Sequence, residues 1–138
     1  MFAGMGFPVR ALPSAPRIAF LNPDESSERG TGAFWRWTAQ NMQRCTQALG
    51  IELEILFAER DMARMLHQAD LLAARARQPD YVFIVNERGH APRMLDLFDR
   101  SSAPVVLIHS ELTDAQRKKA GDERGRHTNW IGTFVAAC

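Results

Sequence analysis

Three polar side chains stand at or just beyond the ends of apolar runs. Asn22 follows the run at 17–21, Asn86 follows 81–85, and Ser110 comes shortly after 104–108. Glu87, Arg88 and Glu111 are their neighbours. Together they offer amide, hydroxyl, carboxylate and guanidinium groups, the donors and acceptors that a hydroxyl-rich small molecule needs. The stretch 22–37 reads NPDESSERGTGAFWRW, a polar loop running into Phe34, Trp35 and Trp37. Aromatic rings beside such a loop can cover the apolar side of a sugar ring. Each polar position also has a structural reading, because Asn after a strand is a common turn residue and charged loop side chains are usually solvated.

Other chemistries find little support. The loop after 17–21 carries no G-x-G-x-x-G, and Gly30 and Gly32 come too late for the tight turn of a dinucleotide fold. Neither a phosphate-binding G-x-x-x-x-G-K-[ST] nor a G-x-S-x-G nucleophile motif occurs. His67, His90, His109 and His127 lack metal-ligand spacing and read as surface or loop histidines. A phospho-accepting receiver domain would need an Asp ending its third strand, where this chain has Val85-Asn86-Glu87. The expectation is a binding protein, not an enzyme, with no metal or cofactor.

The elements that must position these residues follow from periodicity. Residues 17–21 form a strand stopped by Asn22-Pro23. From 32 to 49, Trp35, Thr38, Met42, Cys45 and Leu49 recur at helical spacing, and Gly50 ends the helix. Trp37 lies about 200° from Trp35 on that wheel, pointing away from the stripe. IELEILF at 51–57 alternates and marks a strand with one wet face. A helix over 61–77 buries Met62, Met65, Leu66, Ala69, Leu72, Ala73 and Ala76, and Gln78-Pro79-Asp80 breaks it. YVFIV at 81–85 and PVVLI at 104–108 are apolar on both faces. Between them a helix starts near His90, with Pro92 in its first turn and Met94, Leu95 and Phe98 inward. A short helix at 113–120, a charged loop at 121–127 and an extended segment at 129–135 complete the chain.

Strands alternating with helices predict an α/β fold, a three-layer, Rossmann-like sandwich around a parallel sheet. The half-wet second strand belongs at an edge and the apolar third and fourth in the centre, which gives the order 2-1-3-4-5. In that order the loops after strands 1 and 3 diverge and leave a crevice. Those loops are 22–32 and 86–89, so the polar and aromatic residues meet at the switch point.

The bulk numbers agree with one small domain. The chain has 138 residues, 46% of them hydrophobic, and a net charge of +1 from 17 basic and 16 acidic side chains. That balance provides no basic field for nucleic acid. No apolar run approaches the ~20 residues of a membrane span. Two cysteines exclude a disulfide framework; Cys45 reads as a small hydrophobe packed on a helix and Cys138 as part of a free tail at 136–138. Residues 1–16 are a leader: either a signal peptide lacking its charged start, with Val9-Arg10-Ala11 resembling a cleavage site, or a disordered segment.

Taken in order, Asn22-Pro23, Phe34-Trp35, Gly50-Ile51-Glu52-Leu53, Arg77-Gln78-Pro79-Asp80-Tyr81, Val85-Asn86-Glu87, Pro104-Val105-Val106, Ser110-Glu111-Leu112-Thr113 and Asn129-Trp130-Ile131-Gly132 resemble the type I periplasmic binding proteins. These are substrate-binding components of sugar-type ABC transporters, related to the effector domains of LacI-type repressors. The resemblance spans 17–135 and corresponds to the amino-terminal lobe up to a hinge crossing at 131–135. It implies that Phe34 and Trp35 stack on a sugar or polyol. It implies polar contacts from Asn22, Asn86, Glu87, Ser110 and Glu111, with Asp61 at the rim. It implies a periplasmic protein that serves an ABC transporter permease or a membrane sensor. A second lobe is expected to be lacking, which would weaken binding and leave an apolar surface open to self-association. The alternatives are an effector-sensing module and an α/β protein-interaction module that works through Trp37.

Overall fold

The computed structural model describes residues 15–26 and 33–135. The expected leader, apart from Ala15 and Pro16, the expected tail, and Gly30 and Gly32 therefore lie outside the described residues. Five strands, β1 (Arg17–Asn22), β2 (Glu52–Phe57), β3 (Tyr81–Val85), β4 (Val105–Ile108) and β5 (Trp130–Phe134), alternate with four helices. The helices are α1 (Ala33–Leu49), α2 (Met62–Ala73), α3 (Ala91–Phe98) and α4 (Asp114–Ala120). All the strand pairings are parallel, in the order β2-β1-β3-β4-β5. The expected fold class and strand order are both present.

The two faces of the sheet are covered unequally. Ala19, Leu21, Val82, Ile84, Val105 and Leu107 form one buried cluster with Met65, Ala69 and Leu72 of α2 and Met94, Leu95 and Phe98 of α3. The alternate residues, including Phe20, Phe83 and Ile108, face α1. A single helix cannot span five strands, so an open groove of about 530 Å³ runs beside α1, lined by Thr38, Met42, Cys45, Phe83, Ile108 and Phe134.

That groove corrects the expected stripe of α1. Ala39 and Thr46 are its buried residues, whereas Cys45 is exposed and Leu49 is 72% exposed. Cys45 points along the groove where no strand residue closes over it, and Leu49 ends the helix in solvent. Helix α2 is also shorter than its periodicity suggests, ending at Ala73 rather than 77. The Gln78 side-chain amide donates to the carbonyls of Leu72, Ala73 and Arg75, which satisfies the helix end early and leaves Ala76 outside. His127, expected on the surface, is buried, its imidazole held by Asp99.

Candidate functional site at the carboxyl edge of the sheet

Because the strands are parallel, their carboxyl ends and following loops share one edge. The first loop is built on Asn22, which is fully buried (0% exposed). Its Oδ1 accepts from the Asp24 backbone N–H at 2.9 Å, and its Nδ2 donates to the Trp35 carbonyl at 3.3 Å. Asn22 therefore makes the turn after β1 and ties it to the first turn of α1. Its amide is spent on the chain itself.

The loops after β1 and β2 are cross-tied. Ala58, Glu59 and Arg60 donate backbone N–H groups to the carbonyls of Asn22, Asp24 and Pro23. Ser26 Oγ donates to Glu59 Oε1 at 2.6 Å. Arg60 Nε donates to Asp24 Oδ1 at 3.0 Å, and that carboxylate is only 3% exposed. Asp61 caps α2 by accepting from the Arg64 N–H at 3.2 Å. Its expected place at the rim coincides with this structural role.

The loops after β3 and β4 are joined through Gln116 of α4. Asn86 Nδ2 donates to Gln116 Oε1 at 2.9 Å and to the Glu111 carbonyl at 3.3 Å, while its Oδ1 accepts from the Ala91 N–H. Gln116 also donates to the Gly89 carbonyl and completes the capping box with Thr113. The Glu111 carboxylate pairs with Arg117 at 2.7 Å, and Arg117 also meets Glu123 and lies 5.0 Å over the Trp130 ring. Asn86 and Glu111 thus work as fasteners. Ser110 is exposed on the same edge.

The remaining expected residues meet between these fasteners. Trp35 stands edge-on to Phe34 at 4.9 Å and to His109 at 5.2 Å, and packs on Phe20 at 6.5 Å. Phe34 and His109 are themselves 5.0 Å apart. Burial against these rings pushes the His109 imidazole below its ordinary value, because the charged form loses hydration. Next to the aromatic cluster, a pocket of about 70 Å³ is lined by Pro23, Asp24, Trp35, Arg60, Met62, Glu87 and Arg88. Trp35 is the junction between the two.

Backbone strain gathers on the same edge. Glu59, Arg60, Arg88 and His109 all have positive φ, between 49° and 74°. Non-glycine residues rarely adopt this conformation, and it tends to cluster at binding sites. Sequence reading did not include Asp24, Arg60 and His109 in the site. The available signal was position, since His109 directly follows a buried strand and Arg60 immediately precedes the Asp that caps α2.

The pocket offers an ion pair, a carboxylate and a guanidinium that have no partner among the described residues, and an indole. These groups can accept and donate hydrogen bonds to hydroxyls while a ring face covers an apolar patch. The pocket is smaller than the about 300–1,000 Å³ of sites that enclose a ligand.

Against known proteins, the chain is similar to the crystal structure of a periplasmic sugar-binding protein from Pseudomonas fluorescens. The two are 37% identical with a TM-score of 0.69, over 87% of this chain and 32% of that protein. The chain therefore spans about a third of that protein's length. No family profile and no curated protein matches the chain. In fold and strand order, the chain matches one lobe of a periplasmic binding protein.

Proposed function

We propose that the carboxyl edge of this lobe binds a sugar or a similar polyol, as one wall of a solute-capture site that serves ABC transport or sensing in the periplasm. The observation that carries the reading is the junction at Trp35. There an aromatic cluster of Phe34, Trp35 and His109 adjoins the polar pocket of Asp24, Arg60, Glu87 and Arg88. The likeness to a periplasmic sugar-binding protein supports the same ligand class. In this reading Trp35 and Phe34 cover the apolar face of the ring. Glu87, Arg88 and Ser110 meet its hydroxyls, and Asn22, Asn86, Asp61 and Glu111 hold the loops in place. A single wall provides part of the contacts, so affinity for this chain alone is weak. The natural partner is a membrane permease or sensor.

The test is a titration of the isotope-labelled chain with pentoses, hexoses and polyols, read by amide and indole N–H shifts. A saturable shift of the Trp35 indole, together with residues 86–88, is expected for at least one ligand class. The reading fails if millimolar ligand moves nothing along the carboxyl edge. A second reading, a protein-interaction module, is favoured by Trp37, which is 67% exposed on α1. It predicts a stable dimer insensitive to all these ligands.

A further inference from the structure

At the opposite end of the sheet, α3 and the loop before β5 bring together three side chains with ligating atoms. Asp96 Oδ, Asp99 Oδ and a His127 ring nitrogen all lie within 4.8 Å of one another. The His127 side chain is only 3% exposed, so its orientation is fixed by its surroundings. Its Nδ1 is 2.8 and 3.0 Å from the two Asp99 oxygens. Its Nε2 makes no hydrogen bond among the described residues and faces Asp96 Oδ1 at 3.6 Å.

With Nδ1 held by Asp99, Nε2 faces a carboxylate oxygen of Asp96 across 3.6 Å, a gap too long for a hydrogen bond. A metal ion between the two atoms would use both as ligands without closing that gap. Zinc takes imidazole nitrogen at about 2.0–2.1 Å and carboxylate oxygen at about 2.0–2.2 Å. A tetrahedral angle between such bonds separates the two donor atoms by about 3.3–3.5 Å, close to the observed 3.6 Å. Asp99, behind the ring, fixes the tautomer as the outer carboxylate does in carboxylate–histidine–metal arrangements. The carboxyl end of α3 adds a favourable field for a cation.

We propose that Asp96 and His127 Nε2 bind a borderline divalent transition metal of the zinc type, with Asp99 as the residue that positions His127 and water completing the coordination. Imidazole with carboxylate suits zinc, copper or nickel rather than calcium or magnesium. The site lies at the amino edge of the sheet and would tie the loop before β5 to α3. It is independent of the sugar-binding proposal.

Thermal unfolding of the full chain with zinc chloride, and with magnesium chloride as control, tests this. Zinc is expected to raise Tm by several degrees in a saturable manner, and magnesium to leave it unchanged. Asp96→Asn, at a residue whose side chain is 66% exposed, folds normally and abolishes the shift. Asp99→Asn weakens zinc binding by about 10–100-fold. Long-range ¹H–¹⁵N spectra of the imidazoles localise the ion, with His127 Nε2 expected to move. The proposal is overturned if zinc gives no shift, if Asp96→Asn responds like the parent chain, or if the moving resonances belong to His67 or His90.

Discussion

The indole of Trp35 packs on Phe20 within the fold and meets Phe34 and His109 at the edge, so removing it has two separable effects. Trp35→Ala is expected to cost about 2–3 kcal/mol in urea unfolding, below the range for a fully buried aromatic because the ring is half-exposed. It also removes the sugar-dependent indole shift. Trp35→Phe keeps most of the stability, and calorimetric titration then reads the contribution of the ring to the ligand alone. His109 gives a pH signature. Its folded imidazole resists protonation relative to the ordinary value of 6.5. Below pH 6.5 the unfolded chain therefore binds more protons than the folded one, and stability falls as pH drops through that window. Tm measured from pH 7.5 to 5 is expected to fall less steeply in His109→Gln than in the parent chain. Arg60→Ala strands the buried Asp24 carboxylate, at an expected cost of about 1–3 kcal/mol in the same unfolding experiment.

Among the elements, the loops of the candidate site depend on one glutamine in α4. Gln116→Ala breaks its bonds to Asn86, Gly89 and Thr113 together. A loss of about 1–3 kcal/mol is expected, with faster amide exchange at 86–90 and weaker ligand response despite an untouched pocket. The elements are also where the sequence was most readable. Strand order followed from one wet strand, β2, and two doubly apolar ones, β3 and β4, because only an edge and a centre suit them. The stripe of α1 was misjudged because periodicity gives the spacing of a buried face but not the width of the surface beneath it. Cys45 has the right spacing and lies over a groove. The polar architecture of the site was less legible still. Asp24 and Arg60 are 36 residues apart, and Asn86 and Gln116 are 30 apart, so only the folded sheet edge reveals that they meet. Asn22 and Asn86 were correctly placed at the edge, yet composition cannot tell a side chain that faces a ligand from one that holds a loop.

For the whole molecule, the unequal covering of the sheet dominates. The groove beside α1 and the neighbouring Phe134, 69% exposed, leave one face apolar and accessible. Such a surface associates readily. Sedimentation velocity is expected to show concentration-dependent association of this chain, reduced by Phe134→Glu. That substitution places a charge at an exposed strand end and should leave the unfolding midpoint within about 0.5 kcal/mol of the parent. An unchanged association constant would assign the contact to another surface, with Trp37 the next candidate.

The cross-ties along the carboxyl edge also bear on the thermodynamics of capture. Ser26 to Glu59, Asp24 to Arg60 and Asn86 to Gln116 hold three of its loops before any ligand arrives. On the proposed function, the described parts of these loops are ordered before a ligand binds, so the entropic cost of immobilising them is already met by folding. Weak binding here should arise from the small area of contact and not from reorganisation. Its heat-capacity change should be correspondingly small, and association should need no slow conformational step.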